Sequence, residues 1–589
     1  MNISRKLVFG LIGLLGGLGL HAQEIKRADP PYWWQSMPQD TLEILFSGQN
    51  LAVETVELTG GTLLETRLQQ HSNYLWVQVL IEQGATVLDF SIGKLQYNYA
   101  LKARSGHEPA GLSPADLVYL IVPDRFCNGD STNDRVPGML DQTFGREDNY
   151  YRQGGDLVGI ASKSQYLESL GVSALWMTPV LENNMERDSY HGYAITDHYN
   201  VDPRFGGHND LVALNATLKA HGIKAVADVV YNHWGSNHYL MNNLPEHSMI
   251  HWDAQGHWEQ SSFRLSSLYD PSATQHEKDA FTHGWFAGAM PDLNQDHWLV
   301  ESYLIYHSIW LIEAFSYDAF RVDTYPFSEE AFLAKLGAKL HQYYPSFYLF
   351  GETWTTSTAG ASFFTSSAYS AAPDGITDFS LWDCLHKAYT ADGPVQKDWN
   401  NGGAALLYNR LAEDFLFGSE AQSGQNLVVF IDNHDDGRFL GQMELDTAKL
   451  ISAATLLYQL RGVPVLLYGT EVGLSGHQDH GAIREMMPWD RTTQQNALLQ
   501  SFQELGAFRK QHHTAALSLN SAPGNGLWKG EKTAGQHAID VIYFNATDQA
   551  TTIALNQQDH PIDLLTGEEI TSLQLQPWEV RIIRIQTQH

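Results

Sequence analysis

Tyr317-Asp318-Ala319-Phe320-Arg321-Val322-Asp323 is a short apolar run that ends on an acid. Alone it reads as one buried strand. Seven further short, largely apolar segments read as strands: residues 117–123, 174–180, 224–230, 347–353, 376–381, 427–432 and 463–468. Helical stretches separate them. Three junctions share one form, Leu170-Gly171-Val172, His221-Gly222-Ile223 and Arg461-Gly462-Val463, in which a left-handed Gly can end a helix before the next strand. Eight strands alternating with helices predict an α/β fold of the closed (β/α)8 TIM-barrel type. Acids and other polar residues gather at the strand ends: Asp124-Arg125, Asp228 to His233, Glu352, Asp378, Asp432 to Asp435 and Glu471. The strand-end face of such a barrel carries the active site, so these side chains are expected to converge.

The barrel is assigned to residues 113–513. The gap between the third and fourth strands is too long for one helix, and residues 234–294 are expected to form an inserted lobe over the strand-end face. Short alternating segments with Gly, Gln and Asn clusters place β-sandwiches on both sides, over residues 24–112 and 514–589. At the start, Arg5 and Lys6 precede an apolar stretch over residues 7–20 with small residues near Ala22. Residues 1–22 therefore read as an export signal, with the mature chain in the periplasm or outside the cell. No other window is apolar enough to span a bilayer, so no membrane association is expected after cleavage.

The 589 residues carry 36 Lys and Arg against 67 Asp and Glu, a formal charge of -31. That charge repels phosphate backbones and argues against nucleic acid as a partner. Aromatic residues make up 12% of the chain, which suits stacking on flat neutral ligands although most rings are expected in cores. Cys127 and Cys384 are too few for a disulfide framework.

Arg321 and Asp323 lie two apart on one strand and point to one face, where the guanidinium favours an ionised carboxylate. A structural ion pair is the alternative. Gly351-Glu352-Thr353-Trp354 puts a carboxyl at the next strand end, where apolar neighbours such as Trp354 would raise its pKa for general acid work. Asp432-Asn433-His434-Asp435 adds a third acid. Two carboxyls across a glycosidic bond are the basic equipment for glycoside hydrolysis, and a third can stabilise the cationic transition state. His233 and His434 show no zinc-ligand spacing, which weakens a metal-dependent hydrolase. The loop Asn128-Gly129-Asp130-Ser131-Thr132-Asn133-Asp134, with Gly154-Gly155-Asp156, concentrates hard oxygen ligands that suit calcium, an Asx-rich turn being the alternative.

Four segments, Asp228-Val229-Val230-Tyr231-Asn232-His233, Phe320-Arg321-Val322-Asp323, Gly351-Glu352-Thr353-Trp354 and Phe430-Ile431-Asp432-Asn433-His434-Asp435, resemble the signature regions of the α-amylase superfamily in order and placement. The resemblance implies Asp323 as nucleophile, Glu352 as general acid/base and Asp435 as transition-state stabiliser. It implies sugar contacts from His233, Arg321 and His434, with Tyr193 in Tyr190-His191-Gly192-Tyr193 stacking on the substrate. Pro30-Pro31-Tyr32-Trp33-Trp34 before a β domain is similar to the cyclomaltodextrinase, neopullulanase and maltogenic amylase branch, with Trp33 and Trp34 read as packing. The oxygen-rich loop resembles that branch's calcium loop and implies Ca2+ held by Asn128, Asp130, Asn133, Asp134, Gly154 and Asp156.

Within this resemblance, Thr324 stands where the α-1,6-specific relatives tend to carry Val, which implies α-1,4 cleavage, whereas Met290-Pro291-Asp292-Leu293-Asn294 resembles the family's fifth region with Asp292 where many neopullulanases carry Lys. The expectation is a retaining hydrolase of cyclodextrins and linear maltodextrins. A neopullulanase, a maltogenic or general α-amylase and a transglycosylase are its neighbours, and a non-catalytic glucan-binding protein is the alternative from another class. A homodimer is left open.

Overall fold

The computed structural model describes residues 23–52, 55–390, 402–418, 424–512 and 517–586. The export signal expected at residues 1–22 lies outside them. Eight parallel strands form the central sheet: β1 Val118–Ile121, β2 Ala174–Met177, β3 Lys224–Val229, β4 Ala319–Val322, β5 Tyr348–Gly351, β6 Gly375–Ile376, β7 Val428–Val429 and β8 Val463–Leu467. Their order is β6-β5-β4-β3-β2-β1-β8-β7. The ring closes through a parallel bridge between Thr377 and Val428, where the Asp378 amide donates to the Val428 carbonyl at 2.9 Å. Apart from half-buried Lys224 at the start of β3, the strand residues are buried because the interior and the surrounding helices cover both faces.

The sixth strand departs from expectation. Residues 379–381 belong to the helix Phe379–Thr390, not to a strand. Asp378 stops the strand by accepting from the Leu381 amide at 2.9 Å and the Ser380 hydroxyl at 2.6 Å, an N-cap arrangement. Its other oxygen pairs with Arg410 and Arg461, so this strand-end acid is structural. Gly171 and Gly222 close their helices in the left-handed region at φ 75° and 70°. Gly462 has φ 92° too, but its helix already ends at Gln459; the glycine is needed because a Cβ there would meet the Leu427 carbonyl oxygen at 2.4 Å.

Before the barrel, Glu24–Asp29, Thr41–Gln49, Tyr74–Ile81 and Gly61–Leu68 form one antiparallel sheet. Trp33–Trp34, Leu95–Lys102, Val87–Ile92 and Val56–Thr59 form a second. Phe46 of the first sheet packs on Phe90 and Tyr97 of the second at 5.1 and 5.3 Å. This sandwich docks on helix α1, Trp298–Phe315, through Trp76 on Trp298 at 5.1 Å and Trp33 on Tyr306 at 5.6 Å. Trp33 and Trp34 are buried, which makes them packing residues. After the barrel come a five-stranded and a two-stranded sheet, joined by a core that includes Leu527, Val541, Leu575 and Ile583. Both cysteines are free, and no helix among the described residues is long and apolar enough to cross a membrane.

Candidate active site

The ends of β3, β4 and β5 meet on one guanidinium. Arg321 Nη1 donates to Asp228 Oδ1 at 2.8 Å and to Asp323 Oδ1 at 2.7 Å, and Nη2 pairs with Glu352 Oε1. Asp228 Oδ2 also accepts from Trp176 Nε1 and the Tyr193 hydroxyl, both at 2.9 Å. Thr324 adopts a left-handed turn, φ 44°, and its amide donates to Glu352 Oε2 at 2.9 Å. Such a conformation is costly for a β-branched residue and is held here by the structure around it. Gly351 precedes Glu352 because a Cβ there would lie 2.5 Å from the Tyr325 ring.

Asp435 reaches the site from the loop after β7. Asn433 Oδ1 shapes that loop by accepting from the Asp435 and Asp436 amides at 2.7 and 2.8 Å. Arg484 Nη2 donates to Asp435 Oδ1 at 2.6 Å, and His434 Nε2 lies 3.2 Å from Oδ2.

Burial pushes the Glu352 carboxyl up to about 8; Arg321 opposes the shift, while Asp323 and Asp435 add to it. Asp228 is pushed up to about 7, again mainly by burial. Burial also disfavours an ionised Asp435, but its contacts with His434 and the Arg484 and Arg321 guanidiniums outweigh it and hold this carboxyl well below the usual range. The acids therefore differ in protonation although they share one environment.

Asp323, Glu352 and Asp435 line one cavity of about 530 Å³. Tyr193 and His233 line it too. Arg321 and His434 do not; they stand behind the wall, 1% and 2% exposed, and touch the acids instead. Burial lowers His434 to about 3, so its imidazole is neutral at ordinary pH. Phe263, Phe281 and Phe286 of the inserted lobe form an aromatic wall with Phe327. Trp354 lines the same cavity as Glu352, is 49% exposed and stacks on Phe379, and the Glu352 shift comes from burial and neighbouring acids. Asp292 is fully buried and pairs with His251, so the departure from the neopullulanase pattern is not a cavity contact.

Arg484, His480 and His191 also line the cavity, and sequence reasoning missed them. Arg484 sits in the loop after β8, where no motif marks it.

The oxygen-rich loop is only partly assembled. Asn128 Nδ2 donates to Asp134 Oδ1 at 2.7 Å, and Gly154 lies against both: a Cβ there would meet Asp134 Oδ1 at 2.4 Å and Asn128 Nδ2 at 2.6 Å. Asn133 Oδ1 is buried without a hydrogen-bond partner among the described residues. Asp156 instead accepts from the Gly129, Asp130 and Gly159 amides and caps the helix Leu157–Ala161, while Asp130 turns to Thr132.

Two families match the chain: "Alpha amylase, catalytic domain" over residues 120–561 and "Cyclomaltodextrinase, N-terminal" over residues 27–105. Neopullulanase 2 of Thermoactinomyces vulgaris is 25% identical over 85% of this chain and 83% of its own length. A cyclomaltodextrinase of a Bacillus species is 27% identical, covering 78% and 76%. Among solved structures, an Anoxybacillus α-amylase superposes with a TM-score of 0.68 at 24% identity, over 81% of this chain and 99% of that one. A structure named cyclomaltodextrinase gives 0.64 at 19% identity, over 96% and 100%. With barrel, acids and family in agreement, the chain belongs to the α-amylase family of glycoside hydrolases.

Proposed function

We propose that this enzyme hydrolyses α-1,4-glucosidic bonds of cyclodextrins and linear maltodextrins with retention of configuration. One observation carries the reading: Arg321 holds Asp323 and Glu352 on neighbouring nitrogens at the cavity wall. Two carboxylates held on one guanidinium fit the closely spaced pair of a retaining enzyme, typically about 5 Å apart, better than the wider gap that admits an inverting water.

Glu352, protonated at neutral pH, gives its proton to the glycosidic oxygen as Asp323 attacks the anomeric carbon. The C–O bond to the leaving sugar breaks and a glucosyl ester forms on Asp323. Glu352, now a carboxylate, takes a proton from water, whose oxygen attacks the same carbon and frees Asp323. Asp435, kept ionised beside Arg484, stabilises the positive charge that develops on the ring in both steps. Tyr193 and His233 bind the sugar at the cavity surface, while Arg321 and neutral His434 keep the acids in place.

The name of one relative, cyclomaltodextrinase, favours cyclodextrins as substrates, while that of another, neopullulanase 2, keeps pullulan as the competing substrate. Comparing rates on β-cyclodextrin, starch and pullulan tests this. Cyclodextrin should be preferred, and a strong preference for starch would shift the reading to a general α-amylase. Asp323→Asn should lose several orders of magnitude in rate; near-normal hydrolysis by this variant would remove Asp323 as nucleophile.

Two further proposals accompany this one. Calcium suits the loop around Asn128, Asn133, Asp134 and Gly154, where Asn133 Oδ1 lacks a partner and the Gly154 cradle would be filled by a Cβ. Asp130 and Asp156 would complete the set, the ion serving to fix the loop. Residues 1–22 are proposed to direct export to the periplasm or the medium, and a mature N-terminus near Gln23 would support it.

A further inference from the structure

One group of three metal-ligating side chains stands out among the described residues: His251, His283 and Glu329, whose ligand atoms lie within 4.8 Å of one another. The two histidines belong to the inserted lobe. Glu329 precedes helix α2, Glu330–Tyr343, on the barrel side. We propose that these residues form a binding site for a zinc-class divalent ion that ties the lobe to the barrel.

The geometry is close to what such an ion needs. The imidazoles stack with centroids 4.1 Å apart and planes 17° from parallel. His283 Nε2 lies 2.9 Å from Glu329 Oε1, and His251 Nε2 lies 4.0 Å from the same oxygen. A tetrahedral ion about 2.0–2.1 Å from each ligand sets the ligand atoms roughly 3.4 Å apart, between those two distances. Small side-chain adjustments therefore suffice.

A fourth residue supports the reading. Buried Asp292 lies 2.7 Å from His251 Nδ1; with the proton on that nitrogen, the Nε2 lone pair faces Glu329. A carboxylate behind a histidine ligand is the usual outer shell of a bound transition metal. The backbone fixes all three ligands as well. His251 N donates to the Asp292 carbonyl, His283 caps the helix Gln275–Thr282, and Leu333 N closes the first turn of α2 on Glu329. His283 is 41% exposed on its side chain, which gives the ion an entry path and a coordination position open to water.

Two imidazoles and one carboxylate select Zn2+, Co2+, Ni2+ or Cu2+ over the hard ions Ca2+ and Mg2+. The site lies just behind the aromatic wall of the cavity. Phe327, two residues before Glu329, packs on Phe281 at 4.2 Å, two residues before His283. A bound ion would fasten both ends of that contact.

The test titrates the metal-free full chain with Co2+ and Zn2+ in excess Ca2+, which keeps the oxygen-rich loop saturated. One equivalent of Co2+ should give the visible band of a tetrahedral complex, and Zn2+ should displace it. His283→Ala and Glu329→Gln should each weaken binding at least tenfold, and Asp292→Asn by about 10–100-fold. His257→Ala, which removes an exposed histidine paired with Asp253, should leave binding unchanged. The proposal is overturned if no one-equivalent band appears, if folded His283→Ala and Glu329→Gln bind as tightly as the parent, or if His257→Ala weakens binding as much as they do.

Discussion

Arg484 is the residue whose removal tests the electrostatic reading most directly. Its Nη2 donates to Asp435 Oδ1 at 2.6 Å and its Nε to the His434 carbonyl at 2.7 Å. Arg484→Gln deletes the charge while keeping a polar side chain of similar reach. A hydrogen bond to a charged group contributes about 1.5–3 kcal/mol, which corresponds to roughly one to two pKa units on Asp435. With the cation gone, the burial that disfavours an ionised Asp435 is opposed less. Its pKa therefore rises and the ionised fraction falls first at low pH. The acid limb of kcat/KM on β-cyclodextrin should move up by at least about one unit. At neutral pH the loss should be about 10²–10³-fold, the range for one preorganised electrostatic group. KM should change less than kcat, because the proposed role of Asp435 is to stabilise charge that develops only in the transition state. Thermal unfolding of the variant controls for misfolding. If folded Arg484→Gln keeps the parent acid limb, Asp435 does not depend on Arg484 and the argument fails.

The Glu352 shift makes a second expectation: kcat/KM declines as pH passes about 8, where the acid loses its proton, and activity that stays level well above that pH would contradict Glu352 as the donor. For stability the sign is negative, since the folded state holds a proton that unfolded Glu has released above pH about 4.3; this group therefore lowers stability as pH rises towards 8. Asp378→Ala should destabilise by about 3–5 kcal/mol in urea unfolding, because it leaves Arg410 and Arg461 partly unpaired in the interior. Burial opposes ionisation of Asp378 but those two guanidiniums hold it below the usual range, so its contribution is present above pH about 4 and fades on acidification, and a loss independent of pH would contradict the pairing. Gly154→Ala should abolish any calcium-dependent rise in Tm, since φ is 82° and a methyl would press on Asp134 and Asn128; an undiminished calcium response would remove that loop as the site.

The parts of this molecule legible in its sequence are those set by local pattern. Apolar runs alternating with helical stretches make the eight-strand barrel legible, and Asp323, Glu352 and Asp435 stand out because each lies at or just after the end of such a run. The sixth strand was misread because Phe379 and Leu381 are apolar whether they line a strand or the inner face of a helix; only the Asp378 cap decides, and a cap becomes visible through its hydrogen bonds. Arg484 and the pair His251 and His283 were not legible for a different reason. Their partners lie 49 residues away for Arg484 and Asp435 and 41 for His251 and Asp292, so no spacing rule links them. Arg321 and His434, which the resemblance implies at the sugar, are almost wholly buried and touch the acids, a support for the carboxylates that one-dimensional pattern does not carry.

The cluster on Arg321 also indicates which acid can act as proton donor. One guanidinium serves Asp228, Asp323 and Glu352 in the interior, so full ionisation would leave an excess of negative charge with little water to screen it. Two of the three, Asp228 and Glu352, are accordingly pushed up towards neutrality. They differ in access. Asp228 has both oxygens occupied by Arg321, Trp176 and Tyr193, and it does not line the cavity, whereas Glu352 does. Asp228 reaches the cavity only through the Tyr193 hydroxyl, whereas Glu352 faces it directly. Asp228 is then a positioning residue that fixes Tyr193 and Arg321. Asp228→Asn should disturb both contacts and lower kcat while leaving the alkaline limb near 8. A limb displaced in this variant by as much as Arg321 loss would displace it would mean that the two carboxyls share one proton.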